Sequence, residues 1–141
     1  MVGRVYRASE CSEFVDAKKN PAPTLTLTLY SITGDKVLEN IRIPVDTGYE
    51  GPIMLTSELY RFFMRAELPR TLWRSYRTLS GTVIMRASRA IVKIANMELE
   101  TFVESPFLGE GKLLIGRELL NKLAIIIDGR RKETCLVEDI H

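Results

Sequence analysis

Glutamine is absent from the 141 residues of this chain, and histidine occurs once, as His141. With a single histidine, Ser-His-Asp and Cys-His mechanisms have no credible base, and a zinc site that uses histidine has no ligands. The sequence also lacks a P-loop, a dinucleotide-binding glycine pattern and a Cys-x-x-Cys pair, so nucleotide, NAD and thioredoxin-like functions have no motif to support them. We therefore expect neither a metal nor another cofactor.

Long apolar runs are absent as well. The longest runs are far too short to span a bilayer, and Arg4, Arg7 and Glu10 stand where a signal peptide would have its apolar core. The 20 Lys and Arg and the 18 Asp and Glu give a formal net charge of +2, with both signs mixed along the chain. Charge therefore gives no argument for a nucleic acid or a membrane as partner, and a soluble cytoplasmic protein is expected.

Cysteine is scarce. Cys11 and Cys135 are far apart in the sequence and could be two buried thiols, a disulfide between the ends of the chain, or a bridge between subunits. Reduced thiols are the favoured interpretation. The absence of glutamine, together with abundant Glu, Lys and Arg, hints at a thermophile, in which an intracellular disulfide would be less unusual.

Length and composition, with 45% apolar and 27% charged residues, fit one globular domain. Residues 1–23 are polar and uneven, so we interpret them as an N-terminal arm, either a loop or a strand that pairs with a second subunit, and assign the domain to residues 24–141. Alternating apolar and polar residues predict an all-β fold, a closed or nearly closed barrel with one or two short helices. The predicted strands are 24–30, 37–45, 53–55, 71–78, 83–85, 90–95, 98–103, 113–115, 124–127 and 134–137; the predicted helices are 56–65 and 117–123, and 104–110 is predicted to be irregular.

The stretch IRIPVDTGYEGPIML, residues 41–55, is the part of the sequence that suggests chemistry. Residues 41–45 alternate as a strand with one buried face does, and they lead directly to Asp46. Thr47 offers a short hydroxyl, and Gly48 gives the backbone freedom that a tight loop needs. A carboxylate on a rigid loop between two buried strands is suited to general acid/base catalysis.

A bare Asp-Thr-Gly is more often a turn than a catalytic site, so its setting matters. Near the C-terminus, residues 113–115 form a fully apolar strand, Gly116 ends it, and residues 117–123 have helical spacing. We interpret these two apolar strands, each ending in a glycine loop, as a pair.

Together these motifs resemble the retropepsin-like aspartic proteases, in particular the small prokaryotic relatives of the retroviral proteases. The resemblance covers about residues 25–137 and rests on the strand into Asp46-Thr47-Gly48, a glycine-containing hairpin, and the motif Gly-Arg-acid-Leu-Leu that begins at Gly116. It implies a single-domain acid-protease barrel. It also implies an endopeptidase in which two carboxylates share a proton and activate a water molecule.

The chain has one Asp-Thr-Gly, because Asp128-Gly129 lies in a turn without the strand-loop-strand setting. The resemblance therefore implies a homodimer that cleaves peptides or unfolded proteins with one Asp46 from each subunit, neither a metal nor a covalent intermediate being required. Asp46, Thr47 and Gly48 are the predicted catalytic residues, with Thr47 bonding to the partner's matching loop.

Other residues are assigned by the same resemblance. Glu50 is predicted to pair with Arg117, beside Gly116, and so to brace the Asp46 loop against the C-terminal helix. Tyr49 stands where retroviral enzymes usually have alanine, which predicts a narrower cleft. The predicted substrate-binding residues are those beside the aspartate and those at the tip of a flap that closes over an extended peptide: Tyr49, Glu50, Leu79, Ser80, Gly81 and Thr82.

Two other classes of function stay open. The chain could be a non-catalytic dimerisation or peptide-binding domain with the same fold, although the intact Asp-Thr-Gly and the hairpin favour the enzyme. A nucleic-acid-binding β-barrel rests only on the basic and aromatic strand that contains Arg74 and Arg77, and it would require salt-dependent binding that these two arginines support.

Overall fold

The structure is a computed structural model that describes residues 3–16 and 20–139. Within these ranges the chain is mainly β, with two short α-helices and two short 3-10 helices, Arg61–Ala66 and Arg70–Leu72. The strands are β1 (Tyr6–Glu13), β2 (Thr24–Ser31), β3 (Lys36–Pro44), β4 (Ile53–Met54), β5 (Arg74–Thr78), β6 (Gly81–Ile94), β7 (Met97–Pro106), β8 (Leu114–Ile115), β9 (Ile125–Asp128) and β10 (Glu133–Asp139), and the α-helices are α1 (Ser57–Tyr60) and α2 (Arg117–Leu120). The prediction of an all-β fold with short helices is confirmed.

None of the helices in the described ranges has both the length and the apolar character needed to cross a membrane.

Two sheets build the molecule. The larger has seven strands in the order β3-β2-β6-β7-β4-β8, with β5 paired to β6 as a hairpin, and the smaller has the order β1-β10-β9. The two-residue strand β4 is parallel to β7 and antiparallel to β8. Because β4 follows the predicted Asp46 loop and β8 precedes α2, this pairing brings the two sequence motifs to the same place.

The core lies under β2, whose residues alternate threonine and leucine. Leu25, Leu27 and Leu29 are at most 1% exposed and form the centre of the core. The threonine face is also covered, since Thr24 donates a hydrogen bond to the Glu13 carbonyl at 2.7 Å. The leucine face packs in the apolar core while the threonine hydroxyls make hydrogen bonds on the other face, as Thr26 does with Ser12, so the strand keeps the period-two pattern that predicted it although both faces are covered.

The interpretation of residues 1–23 as a loop or loose arm is wrong for Tyr6–Glu13, which forms β1 and pairs antiparallel with β10 of the same chain. This strand is exposed along most of its length, so it shows none of the apolar alternation that predicts a strand. Residues 1–2 and 17–19 of the predicted arm lie outside the described residues, and the domain boundary at residue 24 stays a prediction.

The expectation of reduced thiols is also wrong. Cys11 and Cys135 are directly opposite each other in the β1–β10 pairing, with Cα atoms 4.0 Å apart, and they form a disulfide. The bond depends on a strand pairing across 124 residues of sequence, which the positions of the cysteines alone do not reveal.

Three local predictions need correction. Residues 104–110 were expected to be irregular, but β7 continues to Pro106 because it pairs with β6 along its whole length. Residues 124–127 were expected to be buried, but Ile126 and Ile127 are 47% and 46% exposed on the edge strand β9. The helix predicted at 56–65 changes to a 3-10 helix at Arg61, which leaves Phe62 59% exposed while the neighbouring Phe63 joins the core.

Candidate active site

The loop that carries Asp46 is fixed by the backbone of β8. After β3 ends, Val45 forms a parallel bridge with Ile115, and the Asp46 amide donates to the Ile115 carbonyl at 2.8 Å. The Gly48 amide then donates to Asp46 Oδ1 at 2.8 Å. This bond holds one carboxylate oxygen in place, so the half-buried Asp46 side chain is oriented by its own loop.

The loop continues into close contact with the start of α2. The Gly116 amide donates to the Pro52 carbonyl at 2.8 Å, and the Arg117 amide donates to the Tyr49 carbonyl at 2.9 Å. A Cβ atom on Gly116 would lie 2.2 Å from the Gly51 carbonyl oxygen, so any larger residue would push the two backbones apart. The interpretation of the two glycine-ended strands as a pair is confirmed.

The ion pair predicted between Glu50 and Arg117 is present. Arg117 Nη2 lies 3.3 Å from Glu50 Oε1, and the two side chains are 50% and 65% exposed. An exposed pair of this kind contributes at most about 1 kcal/mol. The backbone bonds and the glycine contact, rather than the ion pair, therefore hold the loop against α2.

A cleft of about 430 Å³ lies in front of Asp46. The loop forms one side and the two strands of the β5–β6 hairpin form another, while residues of β4, β7, β8 and the segment before β8 complete the lining. Its wall is mainly apolar with charged groups at the rim, and its lining residues are Asp46, Gly48, Tyr49, Glu50, Met54, Tyr76, Arg77, Thr78, Val83, Met85, Pro106, Glu110, Lys112 and Leu114. Of the residues predicted from the Asp46 loop, Thr47 is exposed and is not among those that line the cleft.

The hairpin predicted as a flap exists, but its four tip residues are not among those that line the cleft. Leu79, Ser80, Gly81 and Thr82 are all exposed, and Gly81 has φ of +123°, a conformation that favours glycine. The cleft is lined instead by the two strands of the hairpin, through Tyr76, Arg77 and Thr78 directly before the tip and through Val83 and Met85 after it. Substrate binding by the four tip residues stays a prediction.

A cluster that was not predicted from the sequence lies behind the cleft and is centred on a buried glutamate. We call it the Glu104 cluster, and it consists of Glu104, Tyr49, Tyr76, Arg74 and Glu118. The Glu104 side chain is fully buried, and its carboxylate accepts hydrogen bonds from the Tyr49 hydroxyl at 2.6 Å and the Tyr76 hydroxyl at 2.8 Å. Arg74 Nε donates to the same carboxylate at 3.2 Å and donates twice to Glu118, at 2.7 and 3.1 Å.

The two tyrosines of the cluster are held in their neutral form. Burial raises the pKa of Tyr49 far above its ordinary value, and the neighbouring Glu104 carboxylate raises it further. Burial and the hydrogen bond to Glu104 raise the pKa of Tyr76 in the same way. Both hydroxyls therefore keep their protons, and remain hydrogen-bond donors to Glu104, at neutral and acidic pH.

The predicted narrowing of the cleft by Tyr49 takes an unexpected form. The side chain turns inward and is 7% exposed, with its hydroxyl on Glu104, so the ring forms part of the cleft wall instead of projecting across it. No feature of the sequence marked Glu104, because its burial arises where β7 meets β4 and β6.

The one group of potential metal ligands in the described ranges is Cys11, Glu133 and Cys135. The two sulfur atoms are bonded to each other, so neither is a thiolate that could bind a metal ion.

Comparison with known proteins gives little further guidance. No protein-family model and no curated protein matches the chain. Among solved structures, the chain is similar to EIAV protease complexed with the inhibitor HBY-793, with 16% identity and a TM-score of 0.47, over 77% of this chain and 93% of that chain. A likeness at this level assigns no function to this chain.

Proposed function

We propose that this chain is a retropepsin-like aspartic endopeptidase that works as a homodimer on extended peptide segments. The observation that carries the proposal is the setting of Asp46. Its carboxylate is oriented by the Gly48 amide, stands on a loop fixed by β8, and faces a cleft of about 430 Å³ beneath a hairpin. An oriented, half-buried carboxylate at a cleft is what general acid/base hydrolysis requires.

The mechanism needs a second carboxylate, because one must act as base toward water while the other, protonated, donates to the scissile carbonyl oxygen. Two further carboxylates line the cleft, and both already have partners. Glu110 accepts hydrogen bonds from the amide and hydroxyl of Ser57, each at 2.9 Å, and Glu50 pairs with Arg117. The bonds from Ser57 lower the pKa of Glu110, so its carboxyl group favours the ionised form, which has no proton to donate.

We therefore assign the second carboxylate to Asp46 of a second copy, related by a two-fold axis that passes between the two loops. In each cycle one Asp46 takes a proton from the attacking water and the other gives its proton to the carbonyl oxygen. The roles reverse as the amine leaves, and no covalent intermediate forms.

The strand β9 supports the assignment of a dimer. It pairs with β10 alone among the described strands, and it exposes Ile126 on one face and Ile127 on the other. Proteins usually cover an apolar edge strand, since a free edge invites pairing with other chains. We assign this edge to the contact between the two copies.

The first test is the cleavage of an unfolded protein between pH 3 and 7 by the wild type and by Asp46→Asn, with the oligomeric state recorded for both. We expect cleavage that is faster at acidic pH, is inhibited by pepstatin, and is lost in a variant that remains folded and dimeric. A well-formed wild-type dimer that cleaves nothing would support the non-catalytic peptide-binding alternative.

Mixing subunits tests the shared site directly. When equal amounts of wild-type and Asp46→Asn chains exchange freely, about one quarter of the dimers contain two intact aspartates. Activity should fall to about one quarter of that of the same total amount of wild type. A fall to only one half would mean that each chain works alone, and the dimeric mechanism would be wrong.

A further inference from the structure

The Glu104 cluster joins three parts of the molecule that the proposed reaction needs in fixed positions. Tyr49 belongs to the Asp46 loop, Tyr76 and Arg74 to the base of the hairpin, and Glu118 to α2. Tyr49, Tyr76 and Arg74 donate hydrogen bonds directly to the fully buried carboxylate of Glu104 on β7. Glu118 is connected to it through Arg74. The loop and the hairpin form facing sides of the cleft, so Glu104 is the group through which one side is held relative to the other.

The two tyrosines of the cluster also form part of the cleft wall. Tyr49 and Tyr76 both line the cleft, and their rings are 5.9 Å apart in an edge-on arrangement with an interplanar angle of 78°. Their hydroxyls are both bonded to Glu104 Oε1. Each ring is therefore held at its far end, and neither can move aside to admit a larger substrate group without breaking its hydrogen bond to Glu104.

The Glu104 carboxylate is tightly packed and has no exposure to solvent. A Cβ atom on Gly51 would clash with Glu104 Oε1 and with the Tyr49 hydroxyl oxygen, so only glycine fits beside this hydrogen bond. A buried carboxylate with charged and neutral donors around it often contributes little net stability, because removing it from water is costly. Its contribution here is to fix geometry.

We propose, on the basis of the endopeptidase function proposed above, that Glu104 is a positioning residue that sets the width of the cleft. By holding Tyr49 and Tyr76 on one carboxylate, it keeps an aromatic wall beside Asp46 and restricts the adjoining substrate side chain to a small one. Tyr49 and Tyr76 are then the residues that determine specificity at that position.

The test compares cleavage of peptides that carry alanine or phenylalanine at each position around the scissile bond. In Tyr49→Ala the preference for alanine over phenylalanine, measured as the ratio of kcat/KM values, should fall at least about tenfold at one position, because the wall is removed. Tyr49→Phe and Glu104→Gln should lower the same ratio by a smaller factor, because the wall remains but is no longer fixed. An unchanged ratio in Tyr49→Ala would overturn the proposal.

The chain offers a matched control. Tyr60 is 2% exposed and its hydroxyl donates to Glu67 Oε2 at 2.7 Å, so it has the same kind of contact as Tyr49, but it does not line the cleft. Tyr60→Phe should lose a comparable hydrogen bond and leave the selectivity ratio within about twofold of wild type. An equal change of selectivity in Tyr60→Phe would mean that the effect is general loosening, and the proposal would be wrong.

Hydrogen exchange separates this proposal from the proposed function, because it needs no activity. In Tyr76→Phe and in Glu104→Gln, amides of residues 74–85 should exchange about tenfold faster relative to those of β2, and Tyr60→Phe should leave this ratio unchanged. If the wild type cleaves nothing but this pattern is found, the peptidase assignment fails and the positioning role of Glu104 stands. If the exchange of the hairpin does not change, the positioning role fails even in an active enzyme.

Discussion

Asp46 and Asp128 stand at the ends of two different strands, and the carboxylate of each accepts hydrogen bonds from backbone amides two or three residues further along the chain. Asp46 Oδ1 accepts a hydrogen bond from the Gly48 amide at 2.8 Å, and Asp128 Oδ1 accepts bonds from the Arg130 and Arg131 amides at 3.1 and 3.0 Å. What differs is the support behind each turn. The Asp46 loop is bonded to β8 and packed on α2, whereas the Asp128 turn connects the edge strand β9 to β10. Local hydrogen bonding alone therefore does not distinguish a candidate catalytic aspartate from a turn aspartate.

The glycines near these aspartates show the same difference. Gly116 has no room for a side chain, since a Cβ atom would meet the backbone of the Asp46 loop. A Cβ atom on Gly129, next to Asp128, would have no atom within 4 Å. The glycine that supports the Asp46 loop is required by packing, and the one in the Asp128 turn is not.

The largest expected effect is on activity. Asp46→Asn should lower kcat/KM at least about 1,000-fold, because it removes the carboxylate that exchanges protons in the proposed mechanism. Asp128→Asn retains a side-chain oxygen that accepts the same backbone bonds, and it should keep activity within about twofold of wild type. Both variants are to be assayed with one peptide substrate, and a comparable loss in Asp128→Asn would break the distinction between the two aspartates.

The next effect is on folding. Gly116→Ala should lower the free energy of unfolding by about 3–5 kcal/mol, because the new methyl group meets a carbonyl oxygen that cannot move away without breaking loop hydrogen bonds. Gly129→Ala should change it by no more than about 0.5 kcal/mol. Urea unfolding followed by circular dichroism measures both free energies. If Gly116→Ala lowered the free energy of unfolding by less than about 1 kcal/mol, the loop would be able to separate from α2 at little cost.

Tyr49 should make stability depend on alkaline pH. Its pKa is raised in the folded state, so its contribution is fully present below its ordinary pKa of about 10 and is lost as the pH rises above that value. Well above pH 10, Tyr49 should make the free energy of unfolding of the wild type fall by about 1.4 kcal/mol per pH unit. In Tyr49→Phe this part of the fall should be absent. Asp128→Asn, which changes no tyrosine, should keep the wild-type slope, and urea titrations between pH 8 and 11 would reveal a difference.

The smallest effects belong to the ion pairs. Two exposed pairs can be compared: Glu50 of the Asp46 loop with Arg117 of α2, at 3.3 Å, and Asp128 with Arg131 in the other turn, at 3.9 Å. Double-mutant cycles with alanine should give coupling energies of at most about 1 kcal/mol for each, lower still at high salt. A much larger value for Glu50 and Arg117 would mean that the ion pair, and not the backbone, holds the loop.

The sequence predicted the parts of the fold and site that depend on neighbouring residues. The strand into Asp46, the glycine loops, the hairpin around residue 80 and the central strand β2 all follow from alternation and turn chemistry within about ten residues. The pairing of Glu50 with Arg117 came from a resemblance of motifs and agrees with the structure.

The parts that were missed depend on contacts between distant segments. Glu104 is buried because three strands meet around it, and nothing in the residues 104–110 indicates this. The strand β1 is polar because it lies at a sheet edge, and its partner is β10 at the other end of the described chain. Pattern alone cannot supply such pairings, since they are decided by the whole fold.

The disulfide between Cys11 and Cys135 has a consequence for a protein that is proposed to cut peptide chains. It closes a covalent ring from Cys11 in β1 to Cys135 in β10, which contains the strands β2 to β9 and the exposed tip of the hairpin. A single cut anywhere in that ring would open it without separating the fragments, which would still migrate as one molecule until the disulfide was reduced. Self-cleavage within the ring would therefore be visible as two fragments only on reducing gels. A chain that had been cut once would still be one molecule, in which β1 and β10 could pair again.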